Sequence, residues 1–181
     1  MFRDVLATLQ AIGALKKGHF LFSSGRHGDV YLEKFDLFRN PRATSDVCAG
    51  FAERFQDERI DVIVGPTTGG ILMAFETGRQ LAVAAAFAER SSDMGTAREF
   101  RRGTTFTPGS RVLVLDDILT TGGSVRETLA ALEPHQVEIV AIGVLVDRSG
   151  GNVTFGDIPL YALSTQEIVS WDPSACPLCR D

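Results

Sequence analysis

The amino-acid sequence predicts a single α/β domain, with a central, mainly parallel sheet flanked by helices and a small hood built from its N-terminal region. Three observations carry that prediction. Short apolar runs at residues 61–65, 82–88, 112–115 and 137–147 alternate with stretches of helical periodicity, which is the pattern of parallel strands joined by helical crossovers. Two of those runs end in loops of glycines and hydroxyls that open directly into the next helix, the arrangement that places ligands outside the carboxyl ends of the strands. Finally, 181 residues of which 44% are hydrophobic suffice for one sizeable core and are short for two.

The elements follow in order. Val5, Leu6, Leu9 and Ile12 recur at helical spacing, with Gly13 and Gly18 beyond, so residues 2–15 are expected as an N-terminal helix. Between residues 19 and 38 the pattern becomes extended, with Phe20 and Phe22 alternating, a turn at 23–28, then Val30, Leu32, Phe35 and Leu37. Two short strands forming a hood are expected there. Asn40 as cap and Pro41 in the first turn start a helix expected to run to about residue 59. A buried strand at 61–65, a helix at 70–81 and a strand at 82–88 come next. Residues 89–109 are polar and rich in Arg and Gly, and read as a long exposed loop or flexible hairpin. The strand from 112 and a helix at 125–132 follow, then strands at 137–147 and 159–163, and an irregular tail from Trp171. The hood therefore comprises about residues 1–38 plus the C-terminal segment, the core about 40–165 and the lid about 89–109, within one domain spanning 1–181.

The net charge of −5 with scattered acids and bases offers no basic stripe for a nucleic acid. No apolar stretch approaches the roughly 18 residues of a membrane span, and Met1-Phe2-Arg3-Asp4 lacks the features of a signal peptide. A soluble, cytoplasmic protein is expected, and three unevenly placed cysteines suit a reducing compartment.

Chemistry concentrates in residues 112–124, Val-Leu-Val-Leu-Asp-Asp-Ile-Leu-Thr-Thr-Gly-Gly-Ser. Thr120, Thr121, Gly122, Gly123 and Ser124 offer hydroxyls and successive backbone N–H groups at a helix N-terminus, a setting that favours phosphate. Asp116 and Asp117, expected at the strand's carboxyl end, suit sugar hydroxyls or a hard cation. Gly-Gly alone could serve tight turning, but two adjacent acids are costly to bury without partners and fit a purely structural role badly. The loop 65–70 carries Thr67, Thr68 and Gly69 and is a second candidate phosphate cradle. The lid supplies Arg90, Arg98, Arg101 and Arg102, cations suited to a polyanionic leaving group.

Residues 112–124 resemble, position for position, the phosphoribosyl pyrophosphate (PRPP) motif of the type I phosphoribosyltransferases: apolar strand, acidic pair, two residues, Thr, a small residue, Gly, Gly and Ser. The stretch 18–31, Gly-His-Phe-Leu-Phe-Ser-Ser-Gly-Arg-His-Gly-Asp-Val-Tyr, resembles the hood motif of the orotate phosphoribosyltransferases, and Val146-Asp147-Arg148 resembles that family's strand ending in Asp-Arg. The tail 175–180 is similar to the terminus of its short bacterial members. The resemblance implies the type I phosphoribosyltransferase fold and a transfer of phosphoribose from PRPP to orotate, giving orotidine 5′-monophosphate and pyrophosphate. It implies Asp116 and Asp117 on the ribose and, indirectly, on Mg2+ carried by PRPP. It further implies the 5′-phosphate on residues 120–124, pyrophosphate on Thr67, Thr68, Gly69 and the lid arginines, and orotate against Arg148, Ser24, Gly25, Tyr31 and Thr120. A homodimer is implied as well.

Three positions depart from the family pattern. Ser23 stands where many members have Lys, Gly28 where Ser is usual, and the lid lacks the Lys and His pattern of longer-loop enzymes. Two alternatives stay open at this level: a phosphoribosyltransferase for a purine-type base, and a PRPP-sensing regulator with reduced chemistry. Cys176-Pro177-Leu178-Cys179 has the turn of a zinc or iron knuckle, but a tetrahedral site needs four ligands and no second Cys pair exists. A packed or partly exposed terminal turn is expected there, with His19 and His27 in ordinary hydrogen bonds. Phe20, Phe22 and Phe35 are assigned to hood packing, and Tyr31 to base stacking.

Overall fold

The computed structural model describes residues 4–22, 24–91, 95, 97–166 and 169–179. Helix α1 (Val5–Ala11) begins where the Asp4 carboxylate accepts a hydrogen bond from the Leu6 N–H at 2.9 Å. It ends four residues short of the expected boundary. Gly13 adopts a left-handed φ of 73°, the Ala14 N–H donates to the Leu9 carbonyl, and the chain turns into strand β1 (Leu15–Leu21). Phe2, the first residue of the expected helix, lies outside the described residues.

Strand β1 pairs antiparallel with β2 (His27–Leu32), as the hood reading expects. The next segment corrects that reading. Phe35 and Leu37 sit not on a strand but on helix α2 (Lys34–Phe38), capped by Glu33 through the Phe35 N–H; their two-residue spacing imitates a strand over a stretch too short to separate the periods. Helix α3 (Pro41–Phe55) starts as expected, with the Asn40 side chain accepting from the Ala43 N–H at 3.1 Å.

The main sheet is built from β3 (Val62–Pro66), β4 (Ala84–Arg90), β5 (Arg98–Glu99), β6 (Arg111–Leu119), β7 (Glu138–Asp147) and β8 (Leu160–Thr165). Their spatial order is β5-β4-β3-β6-β7-β8, parallel throughout except for β5, which pairs antiparallel with β4. Helix α4 (Gly69–Leu81) links β3 to β4, and α5 (Gly123–Leu132) leads from β6 towards β7. The chain runs outward in opposite directions from β3 and β6, so their carboxyl ends flank the crevice where such sheets bind ligands.

Alternation along the strands builds a core on each face. Ile63, Leu113, Leu115, Ala141 and Leu145 pack with α1, α3 and α4 residues including Leu9, Phe51, Phe55 and Met73. Val62, Val64, Val112, Val114, Ile142 and Val144 pack instead with Val125 and Leu132 of α5. Each such side chain, fully buried, contributes roughly 1.5–3 kcal/mol before ordering entropy is set against it. Gly143 is demanded by this packing, because a Cβ there would lie 2.5 Å from Leu115 and 2.8 Å from Phe51.

The tail is more regular than its composition suggests. Ser170 and Trp171 form β9, antiparallel to β2, so the hood is a three-stranded sheet in the order β1-β2-β9. Two 3-10 turns, Pro173–Ala175 and Pro177–Cys179, follow, the first capped by Asp172. No helix among the described residues is long and apolar enough to cross a membrane.

Candidate active site

Strand β6 carries Asp116 and Asp117 further inside than expected. The strand continues to Leu119, paired with β7 through Leu119 and Asp147, and the two acids are only 7% and 4% exposed. Apolar residues up to Leu115 mark the part of the strand buried on both faces, not its end. Asp116 accepts from the Asp117 N–H at 2.8 Å, and Asp117 accepts from the Ile118 N–H at 2.7 Å. Burial, and then the charge of Asp117, push the Asp116 carboxyl up to about 7.

Asp117 has a cationic partner that the sequence did not single out. Lys34, in the first turn of α2, places its Nζ 2.8 and 3.1 Å from the two Asp117 oxygens. From the opposite side the 65–70 loop closes in: a Cβ on Gly69 would lie 1.8 Å from Asp117 Oδ2, and one on Gly65 would lie 2.2 Å from the Gly70 carbonyl oxygen. Gly69 is therefore fixed by its close approach to Asp117 and Gly65 by the folding of the loop back on itself, and the Thr67–Thr68 peptide between them is cis.

Residues 120–124 wrap a recess of about 60 Å³, bounded also by Asp116, Ile118, Leu119 and Val125. Gly122 supplies the sharp entry to α5 with a φ of 79°, and a side chain there would collide with Arg126, Val153 and Phe155. The recess faces the N-terminus of α5, whose first N–H groups have no helical partners. It opens beside a cleft of about 450 Å³ lined by Tyr31, Lys34, Thr67, Asp116, Asp117, Thr120, Ser124 and Arg148. A larger hollow of about 740 Å³, lined by Arg59, Asp61, residues 84–86 and 102–110, opens at the opposite end of β3 and β4 and gathers no comparable chemistry.

Arg148 closes the cleft on the β7 side. Its N–H donates to the Leu119 carbonyl at 2.8 Å, and its guanidinium lies 5.6 Å from the centre of the Phe22 ring. Burial pulls its pKa down, and among the described residues its buried Nε has no hydrogen-bond partner. An unpaired buried guanidinium nitrogen is costly, and an anionic ligand in the cleft relieves it. Gly28 belongs to the same unit, since a Cβ there would lie 2.4 Å from Phe22; the glycine leaves room for the ring on which Arg148 rests. Phe22 thus supports the site as well as the hood.

The remaining candidates fall elsewhere. Ser24 and Gly25 form the exposed β1–β2 turn, with Gly25 at φ 77°, and do not line the cleft; Ser23 lies outside the described residues. Thr68 is exposed beside Thr67. The lid reading changes most at Arg98, which is not exposed. Its side chain, 2% accessible, ion-pairs with Glu127 of α5 and donates to Thr67 Oγ1 at 3.0 Å and to the Ala88 carbonyl at 3.2 Å. It is a strut that positions the 65–70 loop. Arg90 is exposed at the end of β4, Arg101 pairs with Glu99, and Arg102 pairs through two hydrogen bonds with Glu89. These pairs lie on the surface, where ion pairs are weak. Sequence signals for Lys34 and Arg98 were faint: each is an ordinary charged residue whose partner lies 83 or 29 positions away.

Comparison with known proteins agrees with this geometry. Residues 36–168 match the family model described as phosphoribosyl transferase domain. Orotate phosphoribosyltransferase from Caldanaerobacter subterraneus subsp. tengcongensis is 39% identical over 98% of this chain and 91% of its own length. The protein of the same name from Caldicellulosiruptor saccharolyticus is 42% identical over 100% and 89%. The crystal structure of orotate phosphoribosyltransferase from Aeropyrum pernix superposes with a TM-score of 0.75 at 25% identity, covering 90% of this chain and 94% of that one. A cleft joining paired carboxylates, a recess at a helix N-terminus and a half-buried arginine on this sheet, together with full-length similarity of this degree, places the chain in the orotate phosphoribosyltransferase family of phosphoribosyl transferase domains.

Proposed function

We propose that the chain transfers the 5-phosphoribosyl group of PRPP to a ring nitrogen of orotate, releasing pyrophosphate and forming orotidine 5′-monophosphate. The observation that carries this reading is the cleft in which Asp116, Asp117 and the 120–124 recess face Arg148 across some 450 Å³. The N–H groups and hydroxyls of residues 120–124 hold the 5′-phosphate. Asp116 and Asp117 accept hydrogen bonds from the ribose hydroxyls, which fixes the anomeric carbon between the base and the leaving group. Thr67, Thr68 and Gly69, braced by Arg98, receive the pyrophosphate. Arg148 meets the orotate carboxylate with paired N–H donors, and Tyr31 and Thr120 flank the ring. The C–O bond to pyrophosphate breaks as the C–N bond forms; orotate's ring nitrogen ionises readily, so no strong base is demanded. On lid closure Arg101 and Arg102 exchange their surface partners for the pyrophosphate, and the exposed Arg90 joins them.

Mg2+ carried by PRPP would, when bound near Asp116 and Asp117, neutralise charge on the leaving group. The donor set suits that indirect role. Both oxygens of Asp117 already face Lys34, while burial, and then the charge of Asp117, disfavour the Asp116 carboxylate, a penalty that a nearby hard cation would offset. The cysteine usage favours the cytoplasm as its compartment.

The test is loss of orotate absorbance on mixing the protein with orotate, PRPP and Mg2+, beside an Asp116→Asn/Asp117→Asn control. Consumption that requires PRPP and vanishes in the control is expected. Turnover with adenine or hypoxanthine instead would move the assignment to a purine base, and PRPP binding without any turnover would move it to a sensor.

The protein is further proposed to be a homodimer. Leu72 and Phe75 stand exposed on the outer side of α4, Phe75 by 64%, an apolar pair that a second subunit covers. Sedimentation should give a dimer for the parent and a monomer for Phe75→Asp; a monomeric parent at micromolar concentration would refute the assignment.

A further inference from the structure

Two of the chain's three histidines and two of its three cysteines meet at one point of the hood, outside the cleft. The Nε2 of His19, the Nδ1 of His27 and the Sγ atoms of Cys176 and Cys179 all lie within 4.8 Å of one another. His19 comes from β1 at the register shift between Lys17 and Phe20, where an irregular pairing re-aims side chains. His27 opens β2. The cysteines flank the last 3-10 turn, in which the Cys179 N–H donates to the Cys176 carbonyl at 3.3 Å, so both sulfurs project to one side.

Hydrogen bonding does not account for the arrangement. His19 Nε2 lies 2.8 Å from His27 Nδ1, 3.5 Å from Cys176 Sγ and 3.6 Å from Cys179 Sγ, and His27 Nδ1 lies 3.1 Å from Cys179 Sγ. An imidazole nitrogen carries one hydrogen at most and cannot serve three neighbours. A tetrahedral cation can. With metal–sulfur bonds of about 2.3 Å and metal–nitrogen bonds of about 2.0–2.1 Å, the edges of such a site are about 3.3–3.8 Å, in the middle of the separations found, which start at 2.8 Å and stay within 4.8 Å. The ligands are soft thiolates and imidazoles, a set that selects zinc over the magnesium used with PRPP.

We propose that His19, His27, Cys176 and Cys179 form a closed, four-ligand structural Zn2+ site that fastens the C-terminal tail to both strands of the hood hairpin. Four protein ligands leave no position for substrate, so the ion is structural. It works beside the β2–β9 pairing and the hydrogen bonds from Arg26 to Ser170, the other ties between hood and tail. Sequence alone pointed away from this site because the second ligand pair is His rather than Cys, and its first member, His19, lies 157 residues from Cys176.

The test uses the full chain, purified without a polyhistidine tag or chelators. Elemental analysis should find about one zinc per chain, retained in Asp116→Asn and lost in Cys176→Ser/Cys179→Ser. Because the latter variant can fail to fold, the parent is also reconstituted with Co2+, which should give the intense visible absorption and thiolate charge-transfer bands of a tetrahedral S2N2 site. Alkylation supplies a third readout: Cys48 is buried in the core, so two thiols should become reactive only after the metal is removed. A parent that retains no zinc, shows no tetrahedral cobalt spectrum, and presents Cys176 and Cys179 as free thiols or as a disulfide overturns the proposal. Turnover of orotate is not the readout, so failure here is distinct from failure of the phosphoribosyl-transfer assignment.

Discussion

Replacing Arg148 with Ala should raise the KM for orotate by roughly ten- to 150-fold and leave the KM for PRPP nearly unchanged. The range corresponds to loss of about 1.5–3 kcal/mol, a hydrogen-bonded contact to a charged group. The Arg148 backbone is anchored by its N–H bond to the Leu119 carbonyl, and its guanidinium rests on the face of Phe22 before any ligand arrives, so little ordering cost falls on binding. Its buried Nε is already without a partner among the described residues, which makes a carboxylate at this position gain more than it would at an exposed arginine. Arg148→Lys should recover only part of the loss, because an ammonium cannot reproduce two parallel N–H donors. The discriminating comparison is with uracil, which lacks the carboxylate. The parent should prefer orotate strongly, and Arg148→Ala should abolish most of that preference. Equal losses on both bases would show that Arg148 supports the hood rather than recognising the carboxylate.

The parts of this site legible in the sequence are those whose chemistry is local. The recess at residues 120–124, the Asn40 cap and both glycine loops depend on neighbours a few positions apart, and the structure forms each at the strand or helix end that residue type and spacing imply. What escaped depends on long-range pairing. Lys34 gains meaning only against Asp117, 83 residues later. Arg98 looked like one of several solvated lid arginines, yet it is buried because Glu127 on α5 and Thr67 on the opposing loop converge on it. The hood shows the same limit twice over. Gly28 reads as a departure from the family until Phe22 is seen to occupy its missing side chain, and the paired cysteines read as half a knuckle until β1 and β2 bring two histidines to them. Strand boundaries failed for a related reason: apolar patterning reports burial, and β6 continues as a strand after its apolar run gives way to acids.

Substituting Asp116 with Asn should lower kcat/KM for PRPP by roughly 10²–10⁴ while raising the thermal midpoint at pH 8. The first effect follows from losing two charge-assisted hydrogen bonds to ribose hydroxyls, about 3–6 kcal/mol together. The second follows from the raised pKa of this carboxyl. Its folded-state value of about 7 lies above its ordinary 3.8, because burial and Asp117 oppose its charge, so the folded state binds its proton more tightly than the unfolded chain. Stability from this group is therefore complete below about pH 4 and is lost as pH rises towards 7. A neutral Asn escapes that loss, and its advantage should be absent near pH 4 and largest above pH 7. Ligand binding has the opposite sign, since ribose hydroxyls and a metal-bearing substrate favour the ionised form. PRPP affinity in the parent should weaken as pH falls through 7, by about tenfold per unit well below it, and that component should be missing in Asp116→Asn. PRPP titrates itself, so the difference between parent and variant is the quantity to measure, by calorimetry at fixed Mg2+. Finding the same pH dependence in both proteins would place the titrating group on the substrate, whereas a variant that is both inactive and less stable at pH 8 would mean that Asp116 holds the fold together. The geometry argues against the latter: the hydrogen bond from the Asp117 N–H is one an Asn carbonyl can also accept, and the charge that Asn lacks is one the folded chain on balance disfavours.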